Sequence, residues 1–283
     1  CHRSQTTSPR NMDTRLLLLT VVTCLLFSTP TVISLDGKVS YAESRELDFV
    51  AAFAYSHRHI PRVFNVFCSG VLVTRRHVLT NEHCVNDEKL QDFVIYIGSH
   101  NLQEAEEHTA CDSITYQEYL ERTGRQPFDL GINDIAIVKL CRSIYSQTLQ
   151  PPGFSWSTTD TAEECKLTIS GWGLARDQRV ARLQKGTVEL IDPIECEKQT
   201  KLRAADRRRV LCTTASPFVL GCSGDSGGPI LDRENRIAGI TTCLFAETED
   251  PDEAMNLHVN VTFYKEFITN VVTGSLYLQY SIN

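Results

Sequence analysis

Positive charge is in deficit in this chain: 28 Lys and Arg stand against 35 Asp and Glu, a net charge of -7 at pH 7. A moderately acidic protein has no evident claim on nucleic acid. Membrane-spanning runs are also lacking. The apolar run Leu16 to Phe27 is too short to cross a bilayer, and nothing after it could do so. No internal repeat or low-complexity block is visible, and no alternation of long helical and strand patterns argues for an α/β sheet.

The same run follows Met12 and Arg15 and reads as the apolar centre of a signal peptide, with Val32-Ile33-Ser34 as the cleavage segment and Leu35 as the first mature residue. Residues 1–11 precede Met12 and read as translated upstream sequence, so residues 1–34 are set apart. Their removal takes three arginines and one aspartate, moving the net charge from -7 to -9. Nine of the 11 cysteines remain after Leu35, which points to an oxidising compartment and a secreted, extracellular protein with no membrane contact once the signal is gone.

Short β-rich runs recur along the rest: Phe49–Phe53, Val71–Val73, Phe93–Ile97, Ile135–Leu140, Leu167–Ile169, Gly186–Ile191, Ile237–Thr242 and Leu257–Val261. Turn-forming or charged stretches separate them, as in all-β sandwiches and barrels. Pro151-Pro152-Gly153 breaks both helix and strand and marks a linker between two halves.

One segment concentrates chemistry. In Gly221-Cys222-Ser223-Gly224-Asp225-Ser226-Gly227-Gly228-Pro229, a serine is held between glycines, whose backbone freedom lets the Gly224 and Ser226 amides point at a developing oxyanion. A serine needs a base, and the base an orienting acid. His83 lies upstream beside Cys84, after two short strand-like runs, and Asp134 opens the run Ile135–Leu140. A G-x-S-x-G match also describes the nucleophile elbow of α/β-hydrolases. Those enzymes place the acid and the histidine after the serine, and here His258 alone follows it, without a helix–strand alternation between.

With His83, Asp134 and Ser226 in that order, and Gly171-Trp172-Gly173 between the last two, the chain resembles the chymotrypsin-like (trypsin-fold) serine endopeptidases from about residue 35 to residue 272. The resemblance implies an all-β fold of two packed six-stranded antiparallel β-barrels with a short C-terminal helix. The N-terminal barrel would cover about 35–152, the C-terminal barrel 153–263, the helix 264–272, and a tail 273–283. It implies a catalytic triad of His83, Asp134 and Ser226, an oxyanion hole of the Gly224 and Ser226 amides, and neither metal nor organic cofactor. It further implies the disulfides Cys68–Cys84, Cys196–Cys212 and Cys222–Cys243, with a fourth, Cys111–Cys141, between two segments that pair as strands in that fold. Cys165 is left over and reads as a buried thiol, free or paired between chains. The partners implied are a protein or peptide substrate and protein protease inhibitors, for a monomer.

Three departures from the family pattern stand out. Asn81 and Glu82 precede His83 where the family has two alanines, which puts a carboxylate beside the imidazole. No Ile-Val-Gly-Gly segment is present to supply the N-terminus that pairs with the aspartate before the nucleophile, here Asp225. Leu35-Asp36-Gly37-Lys38 lies near that register, so signal cleavage itself would create the terminus. Six residues before Ser226, at the floor of the family's specificity pocket, stands Leu220, and a basic substrate side chain would find no counter-charge there. Asn256 would line the pocket wall, and Thr241-Thr242-Cys243 replaces the usual substrate-binding edge. The expectation is cleavage after small or apolar residues. Two readings stay open: a secreted endopeptidase, and a protease-fold binding protein with impaired catalysis.

Two further features lie outside this chemistry. The basic run Lys201, Arg203, Arg207, Arg208, Arg209 has interspersed acids and reads as a solvated face rather than a polyanion site. Asn260-Val261-Thr262 is a glycosylation sequon that falls in an expected strand.

Overall fold

The computed structural model describes residues 40–56, 64–86, 88–125, 133–156, 166–173, 182–200, 203, 206–214, 224–245 and 255–275. Among these residues fourteen strands pair antiparallel with their neighbours and form two sheets of seven. In the first, the order is β6 (Glu106–His108), β5 (Phe93–Ile97), β2 (Val50–Tyr55), β3 (Val66–Thr74), β4 (His77–Thr80), β8 (Ala136–Leu140), β7 (Ala110–Thr115). In the second it is β1 (Ser40–Tyr41), β10 (Gln184–Glu189), β9 (Lys166–Gly171), β12 (Pro229–Leu231), β13 (Ile237–Phe245), β14 (Met255–Asn260), β11 (Val210–Thr214). The all-β, two-sheet plan agrees with the sequence, while each sheet holds seven strands rather than six. The additional pairings come from short edges such as β1 and β6, whose residues are too few or too polar to show an apolar alternation.

Small residues set the spacing at the centre of the first sheet. Ala51 faces Gly70 and Ala52 faces Ser69 across β2 and β3. A side chain at Gly70 would press within 2.8 Å of Phe53 and Val78, so this position admits only glycine without repacking. Phe53, Ile95, Leu79 and Ile137 fill the space that results. Trp172 ties the halves together: it is buried, and its indole N–H donates to the Val50 carbonyl at 3.3 Å.

Among the described residues three α-helices accompany the sheets: α1 (Tyr116–Arg122), α2 (Pro193–Thr200) and α3 (Lys265–Val272). α1 starts at a capping box in which Thr115 accepts from the Glu118 N–H while the Glu118 carboxylate accepts from the Thr115 N–H. α3 buries Phe267, Ile268 and Val271, and Phe267 meets Tyr116 and Tyr119 of α1 edge-on at 5.5 and 5.2 Å between ring centres. The C-terminal helix thus packs on the first half of the chain. Among the described residues no helix is long and apolar enough to cross a membrane.

Disulfides join Cys68 to Cys84, Cys111 to Cys141 and Cys196 to Cys212. Cys165, Cys222 and the side chain of Cys243 lie outside the described residues.

Candidate active site

His83 sits in a single 3-10 turn, Glu82–Cys84, directly after β4. The Cys68–Cys84 bridge fastens that turn to β3, and Asn81 donates from Nδ2 to the Asp134 carbonyl at 2.8 Å. The turn is therefore tied to the segment just before β8, where Asp134 stands. Asp134 takes two hydrogen bonds from His83, one at 2.8 Å from ring Nδ1 and one at 3.0 Å from the backbone N–H. Thr242 on β13 of the second sheet adds a third, its hydroxyl donating to Oδ2 at 2.9 Å.

The charges follow from these contacts. Burial opposes ionisation of Asp134, yet the hydrogen bonds from His83 and Thr242 and the charge on His83 outweigh it and hold its pKa below the ordinary value. His83 is moved the other way: the hydrogen bond to Asp134 raises its pKa against the opposing effect of burial. An ionised Asp134 is acceptor-only, so Nδ1 carries the proton and neutral His83 presents a bare Nε2. The imidazole is about half exposed, so that nitrogen is available to a substrate-side group.

Ser226 arrives from the second sheet. Gly224 and Gly227 flank it with φ of +95° and +84°, a left-handed backbone that favours glycine. The resulting loop docks on the first sheet: the Ser226 carbonyl accepts from the Ser69 N–H at 2.7 Å and the Gly224 carbonyl from the Ser69 hydroxyl at 2.7 Å. Ser69 in turn accepts from the Trp172 N–H at 2.9 Å. On its other side the loop pairs with β13, Gly227 N–H to Thr241 carbonyl and Thr241 N–H to Gly228 carbonyl, both at 2.8 Å. Among the described residues neither the Gly224 nor the Ser226 amide donates to a backbone acceptor. Asp225, fully buried, lies against Gly171 and Gly173 and accepts from the Gly173 N–H at 2.7 Å.

Glu82, the unusual neighbour of His83, is half-buried. Burial, with the negative charges of Asp134 and Glu118 added, pushes its carboxyl up to about 7. Cys68, His83 and Cys84 bring ligand atoms within 4.8 Å of one another, but the two sulfurs are bonded together and offer no thiolate to a metal.

Of the residues expected to contact substrate, Thr241 and Asn256 are both buried, and Asn256 Nδ2 donates to the Thr213 hydroxyl at 3.5 Å. Leu220 lies outside the described residues. The sequence did not single out Ser69, or Thr242 as a partner of Asp134. No local pattern encodes contacts between residues 155 and 108 positions apart. The basic run is largely matched by acids: Arg203 and Arg209 pair with Asp206, and Arg207 with Glu197. Asn260 ends β14 partly buried, with Nδ2 donating to the Arg208 carbonyl at 3.0 Å.

Several known proteins are similar to this chain. The family model for Trypsin matches residues 36–268. A venom serine protease of Polistes dominula is 29% identical over 226 residues, 75% of this chain and 78% of that protein. Chymotrypsin-C of Bos taurus is 26% identical over 170 residues, 58% of this chain and 60% of that one. Among solved structures, neuropsin, a serine protease expressed in the limbic system of mouse brain, superposes with a TM-score of 0.64 at 22% identity. That match covers 83% of this chain and 99% of neuropsin, and shows a common fold.

Proposed function

The chain belongs to the trypsin family of serine-type endopeptidases, and on that premise we propose that it is a secreted enzyme that cleaves peptide bonds through His83, Asp134 and Ser226. The observation that carries the reading is the two-point hold of Asp134 on His83, which orients the ring and fixes its tautomer. His83 Nε2 takes the Ser226 proton as Oγ attacks the peptide carbonyl, and the same proton passes to the leaving amine. Asp134 stabilises the imidazolium in between. The Gly224 and Ser226 amides receive the oxyanion, and loss of one such donor costs on the order of 3 kcal/mol of transition-state stabilisation.

An uncharged Leu220 six residues before Ser226 in the sequence supports cleavage after small or apolar residues. The signal-like leader and three disulfides support secretion. Cleavage before Leu35 would supply the terminus that reaches Asp225, and N-terminal sequencing of the secreted protein checks it. The competing reading, a binding protein with impaired catalysis, draws on Glu82 beside His83. Labelling by a fluorophosphonate decides between them: the enzyme labels, Ser226→Ala does not, and absence of Ser226-dependent labelling removes the enzyme reading.

A further inference from the structure

A cavity of about 280 Å³ opens between β4, β7 and β8 of the first sheet and the end of α3. Lys139, which lines it, stands five residues along the chain from Asp134, about 16 Å at 3.3 Å per extended residue. The cavity is thus separate from the His83–Asp134 pair. Strand pairing sets its walls. His77 faces Lys139 across β4 and β8, and Lys139 faces Asp112 across β8 and β7. Ile137 and Ile114, two residues away on the same strands, face each other and share that side of the sheet. Val271 and Val272 close this apolar end from α3.

The rim of the cavity is cationic, in a chain whose net charge is -7. Arg76 donates from Nε to the Leu140 carbonyl at 2.8 Å and from Nη2 to the Cys141 carbonyl at 3.2 Å. Its neighbour Arg75 donates from Nη1 to the Ser146 and Ile144 carbonyls at 2.8 and 3.2 Å. Among the described residues neither guanidinium meets a carboxylate, unlike Arg203, Arg207 and Arg209. Carbonyls fix a guanidinium in place without cancelling its charge. The Cys111–Cys141 bridge ties the same corner to β7, and the exposed Arg142 follows it. Asp112 offsets one charge of the row, yet the wall stays positive. Burial and the charges of Lys139 and Arg76 hold His77 below its ordinary pKa, so its ring is neutral at pH 7.

We propose that this cavity is a docking site for an acidic segment of a partner protein. One apolar side chain of that segment seats between Ile114, Ile137 and Val272, and its flanking carboxylates rest on Arg76, Lys139 and Arg142. The two ends of the site demand both features. α3 turns its carbonyl end, the negative pole of a helix, to the apolar side, so the acids belong on the strand side with the cations. A polyanion without apolar groups would leave the cavity empty, and a cationic segment would meet like charge. The volume lies at the lower limit for ligand sites and suits one side chain. Ser226 takes no part, so the site stands whether the chain cleaves peptides or only binds them. In an enzyme it would hold a substrate by a segment at least about five extended residues from the scissile bond.

Fluorescence anisotropy on the full protein carrying Ser226→Ala, which prevents cleavage, tests this. The probe is a capped, dye-labelled peptide of one leucine flanked by two glutamates on each side. It should bind with a Kd below about 1 mM at low salt, and about tenfold more weakly at high salt. Replacing its leucine by glycine should weaken binding about tenfold, and replacing its glutamates by lysines should abolish it. Lys139→Gln and Arg142→Gln should each weaken it about threefold. Arg142 is exposed, so its replacement leaves the fold intact. A photoreactive leucine in the probe should crosslink to residues 271–274 at the end of α3. Absence of binding at about 1 mM overturns the proposal. So do equal binding of the leucine and glycine peptides, which marks a mere polyanion surface, unchanged binding in the Lys139→Gln/Arg142→Gln double variant, and crosslinks that miss α3.

Discussion

His83 is held by Asp134 at both its ring and its backbone, with Nδ1 at 2.8 Å and the peptide N–H at 3.0 Å from the two carboxylate oxygens. Replacing Asp134 by Asn keeps the shape but presents a donor or a neutral acceptor to Nδ1, so the ring loses its tautomer preference. The expected loss in kcat is about 10³–10⁴-fold. The pH profile carries a second signature. The His83 pKa is raised above 6.5 mainly by the bond to Asp134, so the acidic limb of kcat/KM lies above 6.5 in the natural enzyme and falls in Asp134→Asn.

Thr242 gives the second sheet a direct hold on this pair. Its hydroxyl donates to Asp134 Oδ2, the same oxygen that receives Nδ1, and helps keep the carboxyl ionised. Thr242→Val should lower kcat by about tenfold, equivalent to roughly 1.4 kcal/mol, while Thr242→Ser restores the donor and most of the rate. Steady-state kinetics on the three proteins checks this, and equal rates for Thr242→Val and the natural enzyme would remove Thr242 from the catalytic arrangement.

Glu82 should make the fold pH-sensitive. Its folded pKa of about 7 exceeds the ordinary 4.5, so the folded state holds the proton more tightly and stability is lost as pH rises through that interval. Glu82→Gln removes the charge and should therefore stabilise the protein at pH 8, by about 1–2 kcal/mol once solvent screening of a half-buried group is allowed for. At pH 4, where Glu82 is protonated in both states, the change should be near zero. Thermal melts at both pH values read the difference, about 3–6 °C at pH 8 for a chain of this size. A shift of equal size at pH 4 would assign the effect to packing.

The central strands were legible because they are short, almost wholly apolar runs, buried at four of five positions. Phe93–Ile97 has the same limits in sequence and structure, and Ile135–Leu140 differs by one residue. Edges were not: Glu106–His108 is a strand made of two glutamates and a histidine, held by pairing with β5 alone. The start of α1 did carry a readable signal, the Thr115-x-x-Glu118 capping box, but the helix it opens is only seven residues long. At the site, local context marked His83, Asp134 and Ser226. Thr242 and Ser69 could not be found that way, because their roles exist only once the two sheets meet.

That meeting depends on Gly227. Its φ of +84° already disfavours any side chain, and an added Cβ would collide with the Thr80 hydroxyl and the Ser69 carbonyl, which are themselves hydrogen-bonded at 2.8 Å. Neither obstacle can yield cheaply, since one is β3 backbone and the other is tied to it. Gly227→Ala must therefore push the loop that carries Ser226 away from the first sheet and break the Ser69 N–H bond to the Ser226 carbonyl. The expected cost is about 3 kcal/mol or more of stability, with loss of Ser226 labelling. Gly274→Ala is the control, because that glycine shares a positive φ of 73° but has open space where the methyl would go. Strain alone predicts similar losses of stability in the two variants by denaturant unfolding. A loss at Gly227 larger by 2 kcal/mol or more would assign the difference to the contact between the sheets, and that contact is what holds Ser226 in place.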